Sequence, residues 1–397
     1  MLILVLNCGS SSVKYALYDS HHLKEVAKGN EERIGLDGGC VNHKEAIAVI
    51  IHSLTHGDTK VINDIQEIKA VGHRVVHGGD KFNKSVLVNE EVLNTIREVA
   101  DLAPLHNPPN IVGIESAMEV LPGVPQIAVF DTAFHQTIPQ VAFTYPVPYD
   151  WYTNFGVRKY GFHGTSHLYV TKRAAKFLGI PKDQINLITL HIGNGVSFSA
   201  IRSGVCIDTS MGLTPLEGAM MGTRSGDIDP AIVGFMAEKL GASCKDIINI
   251  LNKKSGHLGV TGQFTDRRDI FTAMEQGNDR AKLSLEMEIY RIKKYIGSYS
   301  AVLGRVDALV FTAGVGENNA FIREGAVANL ENMGIKLDVE KNSNTRSSAG
   351  ETDLSAAGSP VKVLMIPTNE EGVLVEDVVA ILENRYDVHY NYHYSFE

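Results

Sequence analysis

Short apolar runs recur along the chain, and each one ends abruptly in glycine or polar residues. Five of these runs are Leu2–Leu6, Gln126–Phe130, Leu187–Leu190, Ala308–Phe311 and Val361–Ile366. Short runs rich in β-branched residues predict buried strands, and open α/β sheets bind ligands outside the carboxyl ends of their strands. The pattern therefore predicts an α/β protein in which five polar strand ends share one ligand cleft.

Helical periodicity fills the gaps between these strands, in the segments Glu91–Ala103, Asp227–Leu240, Asp279–Leu303 and Gly372–Glu383. The longest segment, Asp279–Leu303, carries apolar residues in steps of three and four, which forms one continuous stripe. We expect this stripe to pack on a sheet or another domain, with a dimer interface as the second possibility.

One pattern occurs twice. Residues 2–19 and 186–204 each read as an apolar strand, a glycine turn with Ser or Asn, and a second strand. This echo predicts two related domains, an N-terminal one over 1–148 and a C-terminal one over 149–371. The last segment, 372–397, is expected to return to the first domain.

Composition narrows the function classes. A length of 397 residues suits two domains, and 44% hydrophobic with 21% charged residues is ordinary globular usage. The net charge of −9, without a block of like charges, disfavours a nucleic-acid partner. No run approaches the roughly 18 apolar residues of a membrane span, so no membrane partner is expected. Four scattered cysteines indicate neither a disulfide framework nor a zinc site, which predicts a cytoplasmic protein.

The two glycine turns, together with GVGEN after a third strand, are candidate phosphate cradles because small residues expose backbone N–H groups. Each turn taken alone is equally compatible with a plain tight hairpin. A Walker P-loop and a Rossmann fingerprint are both absent from the sequence.

Several single residues carry candidate chemistry. Arg74 and Val76 share one face of a predicted strand, which suits a short carboxylate with an alkyl tail, although an Arg buried against an Asp is the alternative. Arg224, in a loop of small residues, is a candidate for stabilising phosphoryl charge, or else a solvated loop residue. Asp131 follows a strand and needs a cationic or hydroxyl partner.

Two further positions extend this set. His163 is read as a phosphate or transition-state contact at the start of a helix, or as a hydrogen-bonded structural histidine. Glu370, at a strand end, is a candidate for holding Mg²⁺ through water. The charge-dense segment Asp266–Asp269 is expected to be mostly solvated, with one member facing a nucleotide.

Nine segments, in order, resemble the acetate kinase family from one end of the chain to the other. They read LNCGSSSVKY, VGHRVVHGG, LAPLHNPPN, VFDTAFHQT, KYGFHGTSH, HIGNGVS, MGLTPLEGAMMGTRSGDIDP, FTAGVGEN and IPTNEEG. The resemblance implies an α/β fold of two related actin/hexokinase-like domains, each with a mixed central sheet flanked by helices, and a cleft between them. It implies reversible transfer of a phosphoryl group between ATP and acetate, giving ADP and acetyl phosphate, in a homodimer that uses Mg²⁺, with Mn²⁺ as a substitute.

The resemblance also implies roles for individual positions. Catalytic roles fall on Arg74, Asp131, His163 and Arg224. The acyl pocket corresponds to Val76, Leu105, Phe162 and Pro215, with Arg74 holding the carboxylate. Nucleotide binding corresponds to Asn7, Lys14, His191, Asn194, Gly195, Asp266, Arg268, Gly314, Val315, Gly316 and Asn318. Metal binding falls on Asn7 and Glu370. Arg267 stands where an apolar residue is common in the family.

The chemistry needs no strong base, because a carboxylate near neutral pH is already a nucleophile. Direct in-line transfer is preferred, and a transient phosphoenzyme on a carboxylate is the alternative. Three other functions stay open. They are a propionate or butyrate kinase, an enzyme that uses pyrophosphate in place of ATP, and a non-catalytic actin-like ATP-binding module.

Overall fold

The computed structural model describes residues 1–104 and 106–397. It divides the chain into two compact units, the first made of Met1–Gln136 with Asn369–Glu397 and the second of Thr137–Thr368. The predicted domain bounds at 148 and 371 lie near these divisions and stay predictions.

The first unit is built on one six-stranded sheet with the strand order β3-β2-β1-β4-β6-β5. Its elements, in chain order, are β1 Leu2–Cys8, β2 Ser12–Asp19, β3 Lys24–Glu32, α1 His43–Thr55, β4 Ile68–Val75, β5 Val86–Leu87, α2 Glu90–Glu98, α3 Asn107–Val120 and β6 Gln126–Phe130.

The second unit has its own six-stranded sheet with the order β11-β12-β10-β7-β8-β9. Its elements are α4 Gln140–Phe143, α5 Tyr149–Phe155, α6 Gly164–Leu178, β7 Leu187–Ile192, β8 Val196–Arg202, β9 Val205–Thr209, α7 Ala231–Leu240, α8 Cys244–Lys253, α9 Gly256–Thr261, α10 Arg267–Glu275, α11 Asp279–Leu303, β10 Ala308–Thr312, α12 Ala313–Asn318, α13 Ala320–Val327, α14 Val339–Asn344, β11 Thr352–Asp353 and β12 Lys362–Met365.

The two sheets have the same plan. In each, the first three strands run antiparallel as a meander, two further strands add in parallel to the first, and a short antiparallel strand closes the edge. The predicted echo of two hairpins is therefore confirmed, and it extends to the whole sheet. The predicted α/β class with two mixed sheets flanked by helices is confirmed as well.

The first sheet is covered on both faces, since alternate residues of a strand point to opposite sides. Leu4 and Leu6 of β1 belong to the core under α1 and α3. Ile3 and Val5 belong to the opposite core, which is completed by a last helix, α15 Glu370–Leu382. A Cβ on Gly72 of β4 would lie 3.0 Å from the Val378 side chain, so α15 packs directly on the strand backbone.

Parallel pairing places the functional candidates of each unit at one edge. In the first unit β1, β4 and β6 are parallel, so their carboxyl ends bring Asn7, Arg74 and Asp131 to the same side. In the second unit β7, β10 and β12 do the same for the segments that follow them. Five strand ends were predicted to share one cleft, and the structure groups them as two and three within the separate units.

Two predicted helices have clearly different boundaries in the structure. The helix predicted over Glu91–Ala103 ends at Glu98 and continues only as a short 3₁₀ turn. The helix predicted from Asp227 begins at Ala231, since the residue before a proline is biased away from helical geometry and Pro230 takes the N-cap position. The GVGEN segment, a predicted phosphate cradle after a strand, lies in the short helix α12.

Helix α11 follows the predicted apolar stripe. Its buried residues include Leu285, Ile292, Ile296, Tyr299 and Leu303, and the helix packs against β8, α9, α10 and α13 of its own unit. The same face also buries a carboxylate, that of Glu288, which the apolar periodicity did not reveal. Among the described residues, no helix has the length and apolar character needed to cross a bilayer.

A buried carboxyl joins α15 to the chain terminus. Asp377 has no exposed surface and accepts hydrogen bonds from the hydroxyls of Ser85 (2.6 Å), Tyr394 (2.8 Å) and Tyr386 (3.3 Å). His389 Nδ1 lies 3.7 Å from the same carboxyl group. Burial raises the pKa of Asp377 from 3.8 to about 7, because the charged form loses its water.

This pKa predicts a pH dependence of stability. Between about pH 4 and pH 7 the folded protein holds a proton on Asp377 that the unfolded chain has lost, so the contribution of Asp377 to the free energy of unfolding falls as pH rises. Asparagine has no carboxyl group to titrate, so the Asp377→Asn variant lacks this contribution to the pH dependence. We expect wild type to lose stability relative to this variant between pH 5 and pH 8, measured by urea denaturation. A stability difference that is constant with pH would contradict the assignment.

Candidate active site

Arg74 and Asp131 form the central pair of the first unit. Arg74 Nε donates to Asp131 Oδ1 at 2.9 Å and Nη2 donates to Oδ2 at 2.7 Å. Asp131 is 2% exposed, whereas the Arg74 side chain keeps 24% of its surface. The pairing follows from the parallel register of β4 and β6, since Arg74 is near the end of one strand and Asp131 follows the other. The buried carboxylate therefore holds the guanidinium at the sheet edge.

Glu370 adds a second carboxylate to this pair. It is the first residue of α15, where a negative charge suits the helix dipole, and its Oε2 lies 3.8 Å from Arg74 Nη2. Burial lowers the pKa of Arg74, but Asp131 and Glu370 raise it more, so the guanidinium stays charged. The structure thus brings three predicted site residues of the first unit together.

These carboxylates offer oxygen ligands of the kind that Mg²⁺ prefers. No three His, Cys, Asp or Glu side chains form a metal-binding group in residues 1–104 and 106–397. Mg²⁺, however, often takes only one or two carboxylates and completes its shell with water and substrate phosphates. Glu370, with 22% of its side chain exposed, suits that role as a single oxygen ligand.

Asn7 and Lys14 face each other across the first hairpin, as direct partners in the β1–β2 register. Cross-strand partners present their side chains on the same face of a sheet, so an amide and an ammonium group lie side by side. Lys14 is exposed and Asn7 is half-buried. Both groups are hydrogen-bond donors, as the predicted nucleotide role requires.

Asn110 was not among the predicted site residues, yet it ties the first unit's edge together. Its Oδ1 accepts from the Val76 backbone N–H at 3.0 Å, and its Nδ2 donates to the Cys8 carbonyl at 2.8 Å. One buried amide therefore links the ends of β1 and β4. The predicted acyl-pocket residue Val76 is half-buried at this place, whereas Leu105 lies outside the described residues.

His163 is the centre of the second unit's site. It precedes α6 with a φ of 56°, a left-handed conformation that costs a non-glycine residue of order 1–3 kcal/mol and is common at functional sites. Its Nδ1 lies 2.8 Å from Ser197 Oγ, and its ring stacks on His191 with centroids 4.1 Å apart. The stack and the hydrogen bond fix the imidazole at the helix N-terminus, where backbone N–H groups attract anions.

Two serines and a second histidine hold this stack. Ser197 Oγ also lies 2.8 Å from His167 Nε2, and Ser166 Oγ lies 2.8 Å from His191 Nδ1. His167 is fully buried. Sequence reasoning missed Ser166 and Ser197. Their only signal was small polar residues in the strand and helix next to the predicted glycine turn.

Arg224 differs from Arg74 in its electrostatics. Its Nη1 donates to the Pro215 carbonyl at 3.2 Å, and no carboxylate pairs with it in the part of the chain that the structure describes. Burial lowers the pKa of Arg224, because a half-buried cation without an anionic partner loses water without compensation. An anion at this position would supply the missing charge.

The glycine turn after β7 comes close to both groups. A Cβ on Gly195 would lie 3.2 Å from His163 Nε2 and 3.8 Å from Arg224 Nη1. A Cβ on Gly222 would come within 2.1 Å of Asn194 Oδ1, so the turn and the Arg224 loop are packed together. The absence of side chains at these glycines lets the imidazole, the guanidinium and the turn backbone converge. Among the predicted acyl residues, Phe162 is buried next to His163 and Pro215 lies against Arg224.

The segment after β10 contains Gly314, Val315, Gly316 and Asn318. Ala313 opens it with a φ of 64°. A Cβ on Gly314 would meet nothing within 4 Å, which leaves open space beside the helix. Asn318 Oδ1 accepts from Ser347, and its Nδ2 donates to the Gly314 carbonyl at 3.0 Å.

Asp266 and Arg268 pair with each other at the start of α10. Asp266 caps the helix by accepting from the Arg268 backbone N–H, and the two side chains form an ion pair of 2.6 Å. The Arg268 side chain is 88% exposed, as expected for a solvated charge-dense segment. The hydrogen bond from Arg268 lowers the pKa of Asp266 to about 2.

The site residues therefore form two sets, one in each unit. Arg74, Asp131, Glu370, Asn7, Lys14 and Val76 belong to the first unit, and the rest of the described candidates lie in the second unit. Their functional roles stay predictions.

Comparisons with known proteins agree with these observations. The model of the Acetokinase family matches residues 2–376. The acetate kinase of Geobacter metallireducens is 57% identical over 100% of this chain and 98% of its own length. The crystal structure of Porphyromonas gingivalis acetate kinase superposes with a TM-score of 0.92 at 45% identity, covering 96% of this chain and 99% of that one.

A propionate kinase from Francisella tularensis is also similar. It superposes with a TM-score of 0.88 at 42% identity and covers 95% of this chain and 98% of its own. Since the family model spans nearly the whole chain and a curated relative exceeds half identity over the full length, the protein described here belongs to the acetokinase family.

Proposed function

We propose that this protein is an acetate kinase, which transfers a phosphoryl group reversibly between ATP and acetate. The observation that carries the proposal is its 57% identity over the full chain to an acetate kinase. The geometry supports it independently, since Arg224 is a half-buried cation that pairs with no carboxylate among residues 1–104 and 106–397 and lies beside His163 and a glycine turn. That arrangement suits the charge of a migrating phosphoryl group.

The proposed mechanism depends on alignment and charge neutralisation. Acetate is ionised near neutral pH and needs no general base. Arg74, oriented by Asp131, is proposed to hold the carboxylate, and Val76 to contact the methyl group. Arg224 and His163 are proposed to stabilise the equatorial oxygens of the phosphoryl group in flight. Their side chains are already fixed by neighbouring groups, so little reorganisation is needed when charge develops.

The nucleotide is proposed to use donors from both hairpins. Asn7, Lys14, His191, Asn194 and Gly195 offer amide, ammonium, imidazole and backbone donors to phosphates. The open space at Gly314 accommodates a base better than a crowded wall would, which favours ATP over pyrophosphate. The remaining proposed nucleotide positions are Val315, Gly316, Asn318, Asp266 and Arg268.

Glu370 and Asn7 are proposed to hold Mg²⁺. The bound cation would neutralise phosphate charge. Direct in-line transfer is favoured over a phosphoenzyme on Asp131. Both oxygens of that carboxylate accept hydrogen bonds from Arg74, which makes it a poor nucleophile.

Two features support further proposals about the assembly and its location. Helix α7 has no buried residue, and Phe235 and Leu240 expose 59% and 58% of their surface. A second copy of the chain would cover this apolar face, so a homodimer is proposed. The cytoplasm is the proposed location, because all four cysteines are free thiols in the structure.

The experiment that tests the function is a hydroxamate assay with ATP and Mg²⁺, in which hydroxylamine traps the acyl phosphate. Acetate, propionate and butyrate are compared side by side. We expect acetate to have the highest kcat/KM. Turnover with pyrophosphate but not ATP would overturn the nucleotide assignment, and a preference for propionate would favour the rival kinase.

The two arginines are tested by substitution. Arg74→Ala and Arg224→Ala should each lower kcat by about 10²-fold or more, since each removes a charge that the transition state needs. The control is Arg97→Ala, which breaks a surface pair with Glu115 and should leave turnover unchanged. Near-normal turnover in either site variant, with a retained circular dichroism spectrum, would contradict its role.

The acyl pocket is tested at Val76. Val76→Ala removes two methyl groups beside the proposed methyl site, so the kcat/KM ratio of propionate to acetate should rise by up to about tenfold. Val41→Ala, at a valine that is 76% exposed, serves as the control. An unchanged ratio would show that the pocket lies elsewhere.

A further inference from the structure

A buried cluster of charged side chains joins α9, α10 and α11 in the second unit. Glu288 of α11 is 1% exposed and Arg267 of α10 is 4% exposed, and Arg267 Nη2 donates to Glu288 Oε1 at 2.8 Å. His257 of α9 has no exposed surface, and its Nε2 lies 3.2 Å from Glu288 Oε2. One carboxylate therefore serves two basic side chains, each from a different helix.

The cluster is electrostatically costly unless all its members are present. Burial raises the pKa of Glu288, but Arg267 and His257 lower it more and hold it at about 2, so the carboxylate stays charged. Removing one partner from such a pair leaves an uncompensated charge in the interior. The cluster thus constrains where the starts of α9 and α10 can lie.

Both of those helix starts adjoin site residues. Arg267 is the first residue of α10 and stands between Asp266 and Arg268, the proposed nucleotide residues. His257, in the first turn of α9, donates its backbone N–H to the Met221 carbonyl at 2.9 Å, and Leu258 donates to Gly222 at 3.0 Å. A Cβ on the neighbouring Gly256 would come within 2.5 Å of the Arg224 carbonyl. The start of α9 is therefore docked on the Arg224 loop, defined here as residues 221–224.

We propose that Glu288 is a positioning residue that sets the nucleotide stretch Asp266–Arg268 in register with the Arg224 loop. Its carboxylate contacts Arg267 on one side and His257 on the other, so one side chain of α11 connects both positions. Ser284 of the same helix supports His257 from the other ring nitrogen, since its Oγ lies 2.7 Å from His257 Nδ1. The inference rests on the proposed function, because it takes Asp266, Arg268 and Arg224 as residues that contact ATP. Arg267 itself does not reach the nucleotide, since its side chain is directed into the interior against Glu288.

The first test is the affinity for ADP, measured by calorimetric titration in the presence of Mg²⁺. Glu288→Gln keeps the shape of the side chain but leaves Arg267 as a buried charge without its counter-charge. We expect the Kd for ADP to rise by at least about tenfold, because small displacements of positioned groups are costly. The KM for acetate should change less than the Kd for ADP, since Arg74, the proposed carboxylate ligand, and Val76 belong to the first unit.

Glu351→Gln is the matched control. Glu351 forms a bidentate pair with Arg173 in the same unit, and each side chain is 21% exposed. The variant makes the same chemical change in another Arg–Glu pair. It should leave the Kd for ADP unchanged.

A double variant separates positioning from general destabilisation. Arg267→Met alone leaves Glu288 with His257 only, and we expect it to weaken ADP binding as well. Combining Arg267→Met with Glu288→Gln removes both charges and keeps an oxygen near His257, and a buried pair replaced by neutral groups is often tolerated. The double variant should bind ADP within about threefold of wild type. If Glu288→Gln alone does not fold, Arg267→Met and the double variant can still be compared.

The outcomes are distinct. Unchanged ADP affinity in both single variants would overturn the proposal, and so would a double variant as weak as the singles. A loss of melting temperature without a change in Kd would show a purely structural role and also overturn it. If wild type turns over acetate but the single and double variants all bind ADP as wild type does, the proposed function stands and the role of Glu288 is overturned. Wild type without ADP binding or acetate turnover would overturn both.

Discussion

Parallel pairing of three central strands is the constraint on which each unit depends. Parallel strands place their carboxyl ends at one edge, so residues far apart in sequence meet there without a dedicated loop. In the first unit this brings Arg74 and Asp131, 57 positions apart, into a bidentate contact. In the second it lines up the segments that follow β7, β10 and β12. Because the two sheets share one plan, the same rule operates twice in the chain.

The two arginines show how a common architecture supports different chemistry. Arg74 is committed to a buried carboxylate, so its position is fixed and part of its charge is already balanced. Within the described residues, the Arg224 guanidinium donates only to a backbone carbonyl and to the Met221 sulfur, and burial lowers its pKa. A balanced cation suits orientation of a small carboxylate, whereas an unbalanced one suits a group that arrives with several negative charges.

Support for the second site comes from polar contacts rather than from apolar packing alone. Ser166 and Ser197 orient three histidines, and the left-handed backbone at His163 is retained because these contacts surround it. Glu288 contributes a buried charge from the otherwise apolar face of α11. Such groups lower stability when taken singly, but they specify one arrangement when all partners are present.

The fold class, the repeated hairpin and the family follow from the amino-acid sequence alone, because strand periodicity, glycine turns and long motifs are local patterns. It also identified Arg74, Asp131, His163 and Arg224 as residues with unusual chemical demands. Three features became visible only in the folded chain. Asp131 is the partner of Arg74, Arg224 has no carboxylate partner among the described residues, and Arg267 is directed into the interior towards Glu288. The same was true of Asn110, whose two contacts join strands that are distant in sequence. The physical reason is that side-chain pairing and burial depend on which strands and helices become neighbours in space. A local sequence pattern does not contain that information.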